Sequence, residues 1–141
     1  MIIKQLSVFL ENKTGRLTEV LTALGAEKIN VKALTVADTS DFGILRMIVS
    51  DPEHALHLLR DKGFSVNLTD VITIATPCEA GSFAKALALI SEKNISIEYL
   101  YGFSIGQKAA IVLRAEDTQS ALEALKSSKM DLLNAEELNN L

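Results

Sequence analysis

The sequence predicts an α+β fold made of two tandem βαββαβ units, and three observations carry that prediction. Its 141 residues, 48% hydrophobic and 23% charged, suffice for the cores of one ordinary domain or two small ones. Slid against itself by 66 positions, the chain aligns Gly15 with Gly81, Leu21 with Leu87, Ile29 with Ile95, Leu34 with Leu100, Asp51 with Asp117 and Leu59 with Leu125. That is the mark of a tandem repeat. Within each copy the hydrophobic period alternates between that of a strand and that of a helix, in the same order.

The first strand of each copy alternates. Leu6, Val8 and Leu10, matched by Ile72 and Ile74, form one face, and Gln5, Ser7 and Thr73 lie on the other, expected to be solvated. Leu17, Val20, Leu21 and Leu24, matched by Phe83, Ala86, Leu87 and Ile90, then recur at the spacing of a helix with one apolar face. Gly25 weakens the last turn of the first helix by about 1 kcal/mol relative to alanine. A second strand follows at 31–37 (97–103), then a turn rich in Asp, Ser and Gly, then a third strand at 42–49 (109–115). Asp51-Pro52 opens a second helix well, because aspartate caps and proline suits the first turn; Asp117-Thr118 is the weaker counterpart. A last strand, 64–68 (130–133), closes each unit, which gives the ferredoxin-like order twice, with antiparallel sheets and helices on one face.

The expected domains are 1–68 and 69–141. No Gly/Pro/Ser linker separates them, and 66–76 reads almost continuously as strand, so rigid coupling is expected. A copy of about 66 residues buries only roughly 60% of its unfolded surface, so packing between copies is needed. The second strands are apolar on both faces (Val31, Ala33, Leu34, Val36; Ile97, Tyr99, Leu100, Tyr101), the pattern of strands covered by a neighbour. With unpaired strand edges, this points to a homodimer.

Composition and motifs exclude several functions. A net charge of -4, with fourteen basic residues scattered among eighteen acidic ones, does not suit nucleic acid or an anionic membrane. No apolar run approaches the roughly 20 residues of a membrane helix. The single cysteine and the lack of a signal-peptide pattern point to the cytoplasm. Phosphate-binding, dinucleotide-binding, zinc-protease and nucleophile-elbow motifs are absent, so no catalytic residue, metal site or cofactor is expected. Asp41-Phe42-Gly43 reads as a plain turn rather than a magnesium-binding tripeptide. His54 and His57, three apart, lack further ligands and read as a solvated helix face. Cys78 reads as a small semi-buried residue.

What remains is the repeated polar turn between first strand and first helix, "ENKTGRL" and "CEAGSF". Such a turn exposes the first N–H groups of a helix, an anion site by geometry and dipole. Capping by Thr14 or Asn12 is the structural alternative. Asn12 and Asn30 offer amide donors and acceptors suited to an α-amino carboxylate, or serve as turn asparagines.

"LSVFLENKTGRLTEVLTAL" followed by "INVKALTVADT" resembles the ACT domain, an amino-acid-sensing module of biosynthetic enzymes, over nearly the whole chain as two copies. The first copy also is similar to the regulatory subunit of acetolactate synthase, through "NVKALTVADT". The resemblance implies a non-catalytic sensor holding a free amino acid between paired units. Its site is Asn12, Lys13, Thr14, Gly15, Arg16 and Leu17 with Asn30 and Val31. An equivalent second site falls on Cys78, Glu79, Ala80, Gly81, Ser82 and Ser96. Two departures stand out: the proline usual before the glycine is Thr14 or Ala80, and the asparagines become Cys78 and Ser96 in the second copy. The alternative is a subunit that docks on a biosynthetic enzyme, such as acetolactate synthase, with no ligand of its own.

Overall fold

A computed structural model describes residues 2–11, 13–38, 42–128 and 130–141. They form two units, one of Lys4–Thr69 and one of Asp70–Leu141 that also takes in the start of the chain.

The N-terminal unit contains β1 (Ile2–Glu11), α1 (Arg16–Ala26), β2 (Val31–Asp38), β3 (Phe42–Val49), α2 (Pro52–Asp61) and the first part of β4 (Ser65–Pro77). Its sheet order is β2-β3-β1-β4. The C-terminal unit takes the remainder of β4, then α3 (Ser82–Glu92), β5 (Ile97–Ile105), β6 (Lys108–Ala115), α4 (Thr118–Ser127), β7 (Asp131–Leu133) and α5 (Ala135–Asn139). Its order is β5-β6-β4-β7, the same arrangement one repeat later. The repeat extends to irregularities: β2 shifts register between Val31 and Ala33, and β5 does so between Ile97 and Tyr99.

Each unit has its own core, built by the expected periodicity. Leu6, Val8 and Leu10 of β1 pack with Val20 and Leu24 of α1, Leu45 and Met47 of β3, and Leu59 of α2. Ile72, Ile74, Ile90, Ile111, Leu113 and Leu125 do the same in the second unit. Gly25 stays inside α1, so the packing of Ala23 and Leu24 outweighs its propensity cost.

Several expectations need correction. The near-continuous run at 66–76 is one strand, β4, as expected, and only its start moves, from residue 64 to Ser65. Gln5 and Thr73 are fully buried rather than solvated. In the C-terminal unit α5 packs on β7, and Leu141 closes a small cavity of about 20 Å³ with Ala75, Phe103, Ala110 and Leu133. That covers the sheet face away from α3 and α4. The helix α5 has no counterpart in the repeat; Asn134 and Glu137 start it with a reciprocal capping box. Asp41 lies outside the described residues, and Phe42 and Gly43 open β3 instead of forming a turn.

Leu34 and Val36 are exposed although they pair with the core residues Met47 and Leu45. They lie on the helix-covered face, but β2 is the edge strand and the cover stops short of it. Leu100 on β5 is exposed in the same way.

Asp117 is not the weaker cap. Asp51 accepts one bond, from the His54 N–H at 3.2 Å. Asp117 accepts from both the hydroxyl (2.8 Å) and the N–H (3.1 Å) of Ser120. These bonds, the hydroxyl's first, hold its carboxyl below the usual carboxylate range. A lowered folded-state pKa adds stability above the unfolded value of about 4, lost as pH falls through the folded value. Asp117→Asn is therefore expected to lower the urea midpoint slightly at pH 7, with the gap to wild type closing as pH falls below about 4. An equal gap at pH 7 and pH 3 would show that the charge contributes nothing.

Candidate functional site

Both glycine turns enter their helices the same way. Gly15 (φ 89°, ψ −8°) and Gly81 (φ 86°, ψ −8°) are left-handed N-cap residues, and no side chain caps either helix. Glycine takes this conformation without steric cost. The expected cap from Thr14 is thus not formed, because the glycine itself is the cap position; Asn12 lies outside the described residues. The N–H groups that open α1 and α3, of Arg16 and Ser82, bond the Lys13 and Glu79 carbonyls at 3.3 and 3.2 Å; the next ones of each first turn have no side-chain cap, an arrangement that suits an anion.

The two turns differ in their electrostatics. In the first, Lys13 binds Glu11 at 2.9 Å and Arg16 binds Glu19 at 3.1 Å, with Glu11 also 3.8 Å from Arg16. The Lys13 hydrogen bond, then its charge and that of Arg16, hold the Glu11 carboxyl below its ordinary range. Arg16 also lies over the Phe64 ring, 5.3 Å from its centroid. The cations of this turn are therefore engaged by its own neighbours. A shallow groove beside Gly15 runs along α1, lined by Thr18, Glu19, Thr22 and Lys62 among others.

Within the unit, Gly15 and Asn30 are not brought together. Glu11 pairs with Phe42 at one end of β3. Asn30 bonds Ser50 at the other, its N–H donating to the Ser50 hydroxyl at 2.9 Å and its carbonyl accepting from the Ser50 N–H at 2.9 Å. Val31 follows it, paired with Val49. The 11-residue α1 separates the two ends, about 16 Å at its rise per residue. Ser96, accepting from the Glu116 N–H at 2.9 Å, is likewise at the far end from Gly81.

The C-terminal turn borders a cleft of about 610 Å³. Pro77, Cys78, Glu79, Ala80 and Gly81 form one side, Phe83 and Ala84 of α3 the next, and Gly102, Phe103 and Ser104 of β5 with Ala109 of β6 the rest. The lining has one carboxylate, Glu79, and no cationic side chain. Cys78 is exposed rather than semi-buried, since it stands in the turn just past the end of β4, its N–H bonded to the Gln107 carbonyl at 2.9 Å. Ser82 faces a neighbouring cleft of about 420 Å³ with Thr76, Lys85 and Asp131. The Thr76 hydroxyl is buried there without a hydrogen-bond partner among the described residues.

Phe83 and Gly102 explain why this cleft is open. Phe83, expected in the core by its spacing, is 40% exposed. Its ring lies against the Gly102 backbone, so that a Cβ at Gly102 would stand 3.1 and 3.2 Å from ring atoms and 3.3 Å from the Ala110 carbonyl. One repeat earlier the same two positions hold Leu17 and Val36, and Val36 carries its side chain on the edge strand. Gly102, Phe83, Phe103 and Ser104 are site residues that sequence reasoning missed; the signal was the Val36/Gly102 exchange between the two copies. Among the described residues no group of three or more His, Cys, Asp or Glu is placed to hold a metal, and no helix is long and apolar enough to cross a membrane.

The family model for the ACT domain pair matches residues 1–141. The crystal structure of protein BT0572 from Bacteroides thetaiotaomicron is 48% identical, with a TM-score of 0.95, over 100% of this chain and 98% of that one. The regulatory subunit of aspartate kinase from Thermus thermophilus, in its ligand-free form, shares the fold at 16% identity (TM-score 0.66; 89% and 91% covered). Its counterpart from Thermus flavus does so at 17% identity (TM-score 0.59; 89% and 93% covered). No curated protein sequence matches the chain. The chain belongs to the ACT domain pair family.

Proposed function

We propose that this ACT domain pair is a non-catalytic regulatory protein that senses a free amino acid, with the ligand held in the cleft beside Gly81. The observation that carries the reading is the cleft itself, of a size suited to small molecules and opening on an uncapped helix N-terminus. The first-turn N–H groups of α3 would receive the α-carboxylate, and Glu79 would balance the ammonium. The outward carbonyls and N–H groups of the edge strand β5 supply further partners. The N-terminal turn, with Gly15 and the engaged cations of Lys13 and Arg16, is the second place for a ligand.

A homodimer belongs to this proposal, since a paired unit from a second copy closes the open side of the cleft and covers Leu100. The cytoplasm, where free amino acids meet their biosynthetic enzymes, is the proposed compartment. A second reading, docking on a biosynthetic enzyme such as acetolactate synthase without a ligand, draws on Phe9 and Phe42, which are 48% and 53% exposed in the N-terminal unit.

A thermal-shift screen against the twenty amino acids separates the two. A sensor gains about 2.7 kcal/mol of stability at 100 times its dissociation constant, visible as a raised melting temperature. A flat response to all twenty would favour ligand-free docking.

A further inference from the structure

We propose that the cleft beside Gly81 selects an amino acid with a large apolar side chain, and that Gly102 is the residue that sets the room for it. The inference rests on the amino-acid-sensing reading above and adds the ligand class.

The walls decide the class. Pro77, Phe83, Ala84 and Ala109 present apolar surface, which gains by covering hydrocarbon. An acidic side chain would lose its water with no cation in the lining to replace it, and Glu79 would repel it. Glu79 belongs to the turn that precedes α3, the end that receives the ammonium, while Phe83 lies within α3 itself. Room for the side chain comes from Gly102. A Cβ there would stand 3.1 Å from the Phe83 ring and 3.3 Å from the Ala110 carbonyl, so a substituent displaces a ring that lines the cleft. The N-terminal copy carries valine at that position, Val36, and leucine, Leu17, in place of Phe83. The two copies thus differ at both of the positions that meet beside the cleft.

Calorimetric titration of the full chain with leucine, phenylalanine, alanine, lysine and aspartate tests this, on wild type, Gly102→Val and Phe83→Ala. Leucine or phenylalanine should bind at least about tenfold tighter than alanine, by the methylene increment of an apolar pocket. Lysine and aspartate should be weaker still. Gly102→Val should abolish that binding. Phe83→Ala alters only a partly exposed ring and so retains the fold; it should weaken apolar ligands at least about tenfold. Preferential binding of lysine, aspartate or alanine would overturn the apolar class while leaving the sensor intact. Apolar ligands bound equally by wild type and both variants would overturn the assignment of Gly102 and its cleft. Failure of every amino acid to bind would remove the sensing reading and this inference together.

Discussion

Phe64→Ala is expected to lower stability by about 3–5 kcal/mol, and Met130→Ala, at the matching position of the second copy, by about 2 kcal/mol or less. Phe64 is nearly buried in the N-terminal core and carries Arg16 over its ring at 5.3 Å, so its loss opens a cavity and removes the guanidinium's ring contact. Met130 only borders the C-terminal core and lines an open cleft, where little cavity is left to create. Urea unfolding with linear extrapolation reads both numbers. Equal losses would mean that the two copies pack alike at this place.

Leu59→Ala and Leu125→Ala should instead cost the same, about 2–5 kcal/mol each. Both side chains are fully buried, on α2 and α4, one repeat apart. For a chain of this length with a stability of roughly 7–20 kcal/mol, such a loss is a large fraction of the total. A loss near zero in either variant would contradict its place in the core. Together the four variants separate what the repeat preserves, the core under the second helix, from what it lets diverge, the surroundings of the glycine turn.

That division also explains what was legible in the sequence. Core positions such as Leu6, Leu24, Leu45 and Leu59 follow local periodicity, and the 66-residue repeat checks each of them twice. The helix α5 carries a local sign too, the capping-box spacing of Asn134 and Glu137, but it lies outside the repeat that checks the other elements. Burial of Gln5 and Thr73 was not legible, because a polar residue on an alternating strand gives no sign of what covers the other face. The separation of Gly15 from Asn30 needs the strand register, which places them at opposite ends of β3. The cleft depends on Phe83 lying over Gly102, two residues 19 positions apart on different elements, and only the folded chain brings that ring to that backbone.

The binding of a free amino acid beside Gly81 is tested most directly by titrating the amino acid that raises the melting temperature into 15N-labelled protein and following backbone amide resonances. The expected result is a saturable set of shifts centred on Cys78, Gly81, Phe83 and Ala84 of the turn and α3, and on Gly102, Phe103 and Ser104 of β5. Shifts centred on Lys13, Gly15 and Leu17 instead, or spread with no cluster at Gly81, would contradict it.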